Sequence, residues 1–579
     1  MTARTSLFVR FLKTLPWKQI LLFTFLFSIF LLNAFHEEYP DEYDNIVGGK
    51  YILEGRLPYR DWFSHHQPLP YFLSSGILAV TGISFVRFRI GLAIVYFLIT
   101  AGSYLLLKKR IQQSSLSFYL YFLFTIAFGA TYYWGNMLLA DTLSAYFLAP
   151  AIILVLVKGY THEPFTLRDL ILYILYTFLA WLSSMTITYL IAGLHVYAVY
   201  LFIRNGKVLS KKLLLKKVVQ IAMVFAIPYI VWMLYLLVTG SMRSYYFDTI
   251  TFNQQYYIYN YPLEPGGSIN PIRYALIIAH DFINNFFPVI GSVKNLAFDF
   301  PLVNTFAMSH IAFMVILLIT RRYVLIYPYL VLLVYSNTRS NPASIAETDY
   351  QVNVYIFLSM IVGLYSFQIL KQLLDTQTLT KSFRILAGSV FVLLSAYWFF
   401  TSIFLPLKFF QKFMAKYSGQ SPLIYDHPEV APIVNQIAGS DEYAWIGPLA
   451  FKELLYLDAR QPSKYHWFLN HSAKSEKIRS EIVSDLTQNR PKVIVFNRDY
   501  TPWGGDAASY NSFFTDFVDD HYFRIFTLNE ELDGYAYKWK ISRTQNFDID
   551  GYFYFDRNRQ DEIIQELLDK GLIEQVDVS

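Results

Sequence analysis

The chain has 579 residues, 55% of them hydrophobic and only 16% charged, against about 25% charged in ordinary soluble domains, so it is not an ordinary soluble globular protein. Its net charge of +5 comes from short basic loops between apolar runs, which excludes nucleic acid as the expected partner. With no cysteine in the sequence, disulfides, thiolate catalysis and cysteine metal sites are excluded as well.

Eleven segments are apolar over a length suited to crossing a bilayer, which takes roughly 20 residues. They are 17–35, 86–107, 116–134, 138–157, 168–184, 186–203, 215–239, 302–320, 323–337, 352–370 and 383–405. In the first, the apolar run "ILLFTFLFSIFLLNAF" follows Arg4, Arg10, Lys13 and Lys18, as in a secretory signal. No small-residue cleavage site follows it and His36-Glu37-Glu38 comes next, so an uncleaved first span is expected. The stretch 68–83 is apolar but irregular and is expected to lie in the interface. With the N-terminus inside, the inner loops carry "LKKR", "RNGKVLSKKLLLKK", "TRRY" and "ILKQLLDTQTLTKSFR". The opposite loops are poor in Lys and Arg, and this sets the orientation: N-terminus cytoplasmic, residues 406–579 extracytoplasmic. The basic run "KVLSKKLLLKK" serves as a topology signal or binds anionic lipid.

The first outer loop, 36–85, is long, and long loops in compact proteins are usually functional. It opens with five carboxylates, Glu37, Glu38, Asp41, Glu42 and Asp44. Carboxylates there can remove a proton from an acceptor hydroxyl, hold a divalent cation beside a phosphate, or simply solvate the loop. The later half, "EGRLPYRDWFSHHQPLPYF", alternates apolar and polar residues and reads as a folded re-entrant or interfacial segment. In it, His65 and His66 are adjacent. In extended chain their side chains point to opposite sides, so both cannot easily hold one metal ion, and no metal site is assigned.

Asp141, near the outer end of the fourth span, is either functional or a first-turn acid that complements the helix dipole. The outer loop 240–301 is dense in tyrosine, suited to stacking on sugar faces or to an interfacial aromatic belt. The outer segment "TRSNPASIAETDYQ" contains Arg339, which can clamp a phosphate bidentately or anchor a headgroup. Residues 406–579 alternate charged helical stretches ("SEKIRSEIVSDLTQN") with short apolar runs ("YAWIG", "KVIVF", "FRIFTL", "YAYKWKI"), the pattern of a small α/β domain. The domain lacks Gly-x-Gly-x-x-Gly and Walker A motifs. Its Gly-rich "RDYTPWGGDAASY" is a structural turn or a carbohydrate-binding loop.

The stretch "PDEYDNIVGGKYILEGRLPYRDWFSHHQPLPYFL" resembles the first outer loop of integral-membrane glycosyltransferases with the GT-C fold, in particular glycosyltransferase family 39. That group holds protein O-mannosyltransferases, aminoarabinose transferases of lipid A and lipopolysaccharide-core galacturonosyltransferases. Its Asp-Glu pair falls on Asp41-Glu42, its Gly-x-x-Pro-Tyr-x-Asp element on Gly55–Asp61, and its Pro-Leu-x-Tyr element on Pro68–Tyr71. An Asp after the third span matches Asp141 in "NMLLADTLSAYFLAPAIILVL". The resemblance covers roughly residues 1–400. Where aminoarabinose transferases have Lys-Pro-Pro-Leu, this chain has His66-Gln67-Pro68-Leu69, so that lysine's role does not carry over.

The resemblance implies a transmembrane GT-C domain over 1–405, an extracytoplasmic α/β domain over 406–579, and a place in the plasma or inner membrane. It also implies transfer of a sugar from a polyprenyl-phosphate donor to a glycan, lipid or protein acceptor, with inversion at the sugar carbon. Asp41 is the expected base, with Glu42 and Asp141 as further catalytic residues. Arg60, Asp61, His65, His66, Gln67, Tyr71 and Arg339 are expected to bind substrate, with Arg60, His65, His66 and Arg339 facing the departing phosphate. No cofactor is firmly implied, and a divalent cation at the phosphate stays open. The alternative is a transporter or flippase of lipid-linked saccharides, which predicts paired charges in mid-membrane and repeated halves. A further reading is a non-catalytic envelope-assembly protein whose acids would be dispensable.

Overall fold

Each of the eleven apolar segments is helical. The computed structural model describes residues 17–204, 211–257, 271–291, 301–336, 353–375, 380–420, 424–467, 473–501, 506–525, 536–541 and 549–576. Six helices are long and apolar enough to cross a bilayer: Phe85–Lys108, Ala140–Thr161, Met185–Arg204, Lys211–Val238, Phe357–Asp375 and Lys381–Tyr417. Trp17–Asn33, Ser117–Gly129, Ser309–Ile319 and Tyr323–Tyr335 are apolar but shorter. Two places depart from the expected pattern. Residues 36–85 hold two helices, Pro40–Leu53 and Leu69–Thr81. The expected loop 240–301 contains a further helix, Pro271–Gly291.

The chain divides into two compact units. One comprises Met1–Glu38, Ser84–Val231 and Pro271–Tyr425. At its centre is helix Ala140–Thr161, buried on all sides, as expected of a helix that is apolar all round. It packs on Leu167–Ser183 and on Asn353–Asp375. The link to Leu167–Ser183 is closed by a capping box: Asp169 N donates to Thr166 Oγ1 (3.4 Å) and Thr166 N to Asp169 Oδ2 (2.8 Å). At the periphery, Lys211–Val238 leaves Leu215, Met223, Ile227 and Ile230 exposed, and Lys381–Tyr417 leaves Ile385, Val392, Phe399 and Phe400 exposed. Apolar surface on this scale needs an apolar solvent, and lipid supplies it.

The other unit comprises Tyr39–Ile83, Trp232–Asn270 and Asp426–Ser579. Thus the first loop folds with the C-terminal region. Phe63 N donates to Lys464 O (2.8 Å), and Lys50 Nζ donates to Leu454 O (2.9 Å). Helices Pro40–Leu53 and Leu69–Thr81 cross closely because Gly48 and Gly49 carry no side chain: a Cβ on Gly49 would overlap Ser74 and the backbone of Ser75. Four strands form a mixed sheet in the order β1-β2-β5-β3. β1 (Ala444–Gly447) runs parallel to β2 (Val493–Phe496), Ala444 opposite Val493. β5 (Phe553–Asp556) is antiparallel to β2 and to β3 (Tyr522–Phe523). β4 (Ala536–Trp539) and β6 (Ile573–Val576) form a separate antiparallel pair. The apolar runs locate β1, β2 and β4. Of "FRIFTL", Phe523 belongs to a strand and 526–528 lie outside the described residues, and β5 in "FYFD" and β6 in "IEQV" are additional. Helix Lys381–Tyr417 continues through residue 405 without a break.

Candidate functional site

The acidic cluster of the first loop is sorted by the helix that carries it. Pro40 opens Pro40–Leu53 and places Asp41 and Glu42 in its first turn, where Pro fits because the N–H it lacks would have no helical partner. Asp41 is exposed, whereas Glu42 is fully buried and Asp44 is 8% exposed. Asn45 Nδ2 donates to the Asp41 carbonyl at 3.1 Å and fixes that turn. The Asp41 carboxylate, together with burial, pushes up the phenol of Tyr500, burial contributing more. Tyr500 is 38% exposed and belongs to "RDYTPWGGDAASY", of which 502–505 lie outside the described residues.

Behind this open carboxylate is an enclosed polar network. Asp44 Oδ1 lies 3.5 Å from His466 Nε2, and Tyr71 Oη donates to Asp44 Oδ2 at 3.4 Å. Tyr71 Oη is also 2.6 Å from Ser64 Oγ. The Trp62 ring packs edge-on to Tyr71 (4.7 Å) and to His466 (6.1 Å), and Tyr51 to His466 (5.4 Å). Burial holds His466 below its ordinary value, against the pull of Asp44. The arrangement holds the helix that carries Asp41 through the side chains of Asp44, His466 and Tyr71.

The remaining loop residues form two groups. Arg60 and Asp61 are paired side by side, Nε to Oδ1 at 2.8 Å and Nη2 to Oδ2 at 2.9 Å. Burial acts to raise Asp61, but the Arg60 hydrogen bonds and the Leu57 N–H outweigh it and hold the carboxyl below its ordinary range. His65 is enclosed by Phe63, Phe252, Tyr257 and Trp467, with ring centroids 4.5–6.5 Å away. The rings of His65 and His66 are 3.9 Å apart. They therefore lie beside one another, against the expectation from extended chain, because 64–67 bends. Among the described residues no three His, Asp or Glu side chains are grouped to hold a metal. Gln67 is buried and donates to Tyr245 Oη at 3.2 Å, and Tyr59 Oη donates to the His66 carbonyl at 2.9 Å.

Asp141 belongs to the other unit, in the first turn of Ala140–Thr161 and 2% exposed. It accepts from Ser184 Oγ (2.8 Å) and Thr186 Oγ1 (2.9 Å), at the break between Leu167–Ser183 and Thr188–Arg204. In that unit sequence reasoning also missed a cationic group at the end of the first helix. Arg89 donates to the carbonyls of His36 (3.2 Å) and Glu37 (2.8 Å), and Lys412 pairs with Glu37 at 2.6 Å. Burial, then Lys416, Lys412 and Arg89, lower His36 to about 3. Arg339 lies outside the described residues.

An acid was missed in the Tyr39–Ile83 unit. Asp248 sits on a π-helix, Tyr246–Thr251, fully buried, 3.7 Å from Lys464 Nζ. Burial raises it to about 7 in spite of Lys464 and Lys477. π-Helical turns are often found at functional sites. The one sequence signal for Asp248 is an acid inside a tyrosine-rich run.

These features define a helical membrane protein with a small mixed-sheet unit into which the first long loop is folded. Compared with models of known protein families the chain matches none, and no curated protein is significantly similar to it.

Proposed function

We propose that the chain is a GT-C-type membrane glycosyltransferase, with the eleven apolar helices crossing the bilayer, the N-terminus cytoplasmic and the Asp41 unit on the extracytoplasmic face. It moves a sugar from a polyprenyl-phosphate donor to an envelope acceptor, with inversion. Asp41 takes the proton from the acceptor hydroxyl as that oxygen attacks the anomeric carbon, and the carbon–oxygen bond to the phosphate breaks. The observation that supports this reading is the sorting of the Asp-Glu pair. Asp41 stands open on a rigid helix end near Tyr500, while Glu42 and Asp44 are enclosed beneath it. A general base must be open to substrate and held by packed neighbours, and only Asp41 of the pair meets both demands. Tyr500 offers its ring to a sugar face.

The test is transfer from a radiolabelled polyprenyl-phosphate sugar to envelope acceptors by membranes holding the chain or its Asp41→Asn variant. Transfer by the wild type and its loss in the variant, at equal protein level, support the reading; equal transfer by both removes it.

A further inference from the structure

The Tyr39–Ile83, Trp232–Asn270 and Asp426–Ser579 unit has a cleft of about 1000 Å³ that does not include Asp41. Lys50 lines it, nine residues along Pro40–Leu53 from Asp41, or about 13 Å at 1.5 Å per residue. Small-molecule sites run to about 1000 Å³, so the space suits several sugar residues. Its walls are polar. Among the described lining residues, seven Lys or Arg side chains face five carboxylates.

Two of those cations stand apart. Arg56 and Arg243 make no ion pair among the described residues, although acids line the same cleft. Arg56 is held in place: its guanidinium lies 4.1 Å over the Tyr51 ring, and Nη2 donates to the Asp61 carbonyl at 3.0 Å. Arg243 is exposed and acts on Lys477 as a nearby like charge. The two lysines on the same walls have acids only at the outer limit of ion pairing, Lys464 at 3.7 Å from Asp248 and 4.0 Å from Glu481, and Lys477 at 3.8 Å from Glu481. A guanidinium presents a planar fork that matches carboxylate or phosphate. Glu481, Asp485 and Asn489 on the same walls are suited to sugar hydroxyls.

We propose that this cleft binds an acidic glycan, with Arg56 and Arg243 taking its carboxylate or phosphate groups. The carboxylates on the walls select against a densely charged polyanion such as nucleic acid and favour charges spaced by neutral hydroxyl-bearing rings. The proposal rests on the transferase reading in one respect: it makes the bound glycan the acceptor, anchored a helix length from the base.

The experiment is calorimetric titration of the purified full chain in detergent, without donor, using tetragalacturonate, a phosphorylated oligosaccharide, maltotetraose and inorganic phosphate. Binding of at least one acidic oligosaccharide, with maltotetraose weaker by about ten-fold or more, supports the site, and comparing the two acidic arms tells uronate from phosphate. Arg56→Ala and Arg243→Ala should each weaken that binding by about ten-fold or more with an unchanged unfolding midpoint. Arg243 is exposed, so its variant remains informative if Arg56→Ala unfolds. Equal binding of neutral and acidic glycans, no binding of either, inorganic phosphate binding as well as the glycan, or an Arg243→Ala protein that binds normally each overturn the proposal. Asp41→Asn should keep the binding; loss of transfer by the wild type with binding retained would count against the transferase reading alone.

Discussion

His466 Nε2 lies 3.5 Å from Asp44 Oδ1, tying a residue between the first two strands to the helix that carries Asp41. Both side chains are enclosed, 1% and 12% exposed. Removing one partner leaves the other buried with fewer bonds, which costs about 1–3 kcal/mol. His466→Ala and Asp44→Asn should each lower the unfolding midpoint. The double variant should lose less than the sum, because the two residues share one interaction. The pH dependence has a definite sign. Burial holds the folded imidazole below its unfolded value of 6.5. Stability from this site is therefore full above about 6.5 and declines as acid protonates the unfolded chain more readily than the folded one. His466→Gln should flatten the midpoint between pH 7.5 and pH 5 relative to wild type; an unchanged slope would mean that His466 is not the group responsible.

Asp41 and Glu42 are neighbours in sequence with opposite surroundings, exposed and fully buried. Asp41→Asn should reduce transfer about 10²–10⁴-fold, the range for loss of a positioned base, and leave the unfolding free energy within about 0.5 kcal/mol, as surface changes usually do. Glu42→Gln should do the reverse, with a lower midpoint and residual turnover per folded molecule. Tyr500→Ala should raise KM more than it lowers kcat if its ring holds the sugar. Measured together, these variants separate base, scaffold and binding surface; a Glu42→Gln protein that is stable and dead would move the base assignment from Asp41 to Glu42.

Asp248 makes a pH prediction of the opposite sign. Its folded value is raised to about 7 from 3.8, so the folded state holds its proton more tightly than the unfolded chain does. The stability linked to that proton is full below about 4 and is lost as pH rises towards 7. At pH 8 the buried carboxylate is charged beside Lys464 at 3.7 Å, too far for a hydrogen bond. Asp248→Asn should raise the unfolding free energy at pH 8, by an amount on the order of 2–4 kcal/mol, and change it little at pH 4. A variant less stable than wild type at pH 8 would show that the Lys464 ion pair outweighs the cost of burial.

The apolar helices were legible because an apolar stretch of bilayer length is a local signal, and each expected span coincides with a helix. Helices within the loops were not, since Pro40–Leu53 mixes acids, glycines and tyrosines with no clean period. The strands β1 and β2 announce themselves as buried apolar runs, while "FYFD" ends in a charge. Within the site, the acids of the first loop were visible as a cluster, but which one is open depends on what the helix packs against. Asp44 meets His466 across 422 residues of chain, and no spacing rule reaches that far. Asp248 was hidden for the same reason: its partner Lys464 lies in a different segment.

The turn between Ala140–Thr161 and Leu167–Ser183 carries a buried ion pair whose removal should be costly. Lys158 Nζ is 2.8 Å from Asp169 Oδ2, with the two side chains 6% and 0% exposed. Lys158 also donates to the Pro164 carbonyl at 2.9 Å, and Thr166 Oγ1 to Asp169 Oδ2 at 2.7 Å. The lysine thus ties the end of one helix to the cap of the next, around the fully enclosed centre of its unit. Removing one member of a buried pair strands the other charge, at a cost of about 3–5 kcal/mol. Lys158→Met should lower the unfolding free energy in detergent by that amount, and adding Asp169→Asn should restore part of it, because the second change removes the stranded charge. The recovery will be partial, since Asn accepts the Thr166 cap bonds less strongly than a carboxylate. A Lys158→Met protein as stable as wild type would show that Asp169 is held by its cap alone.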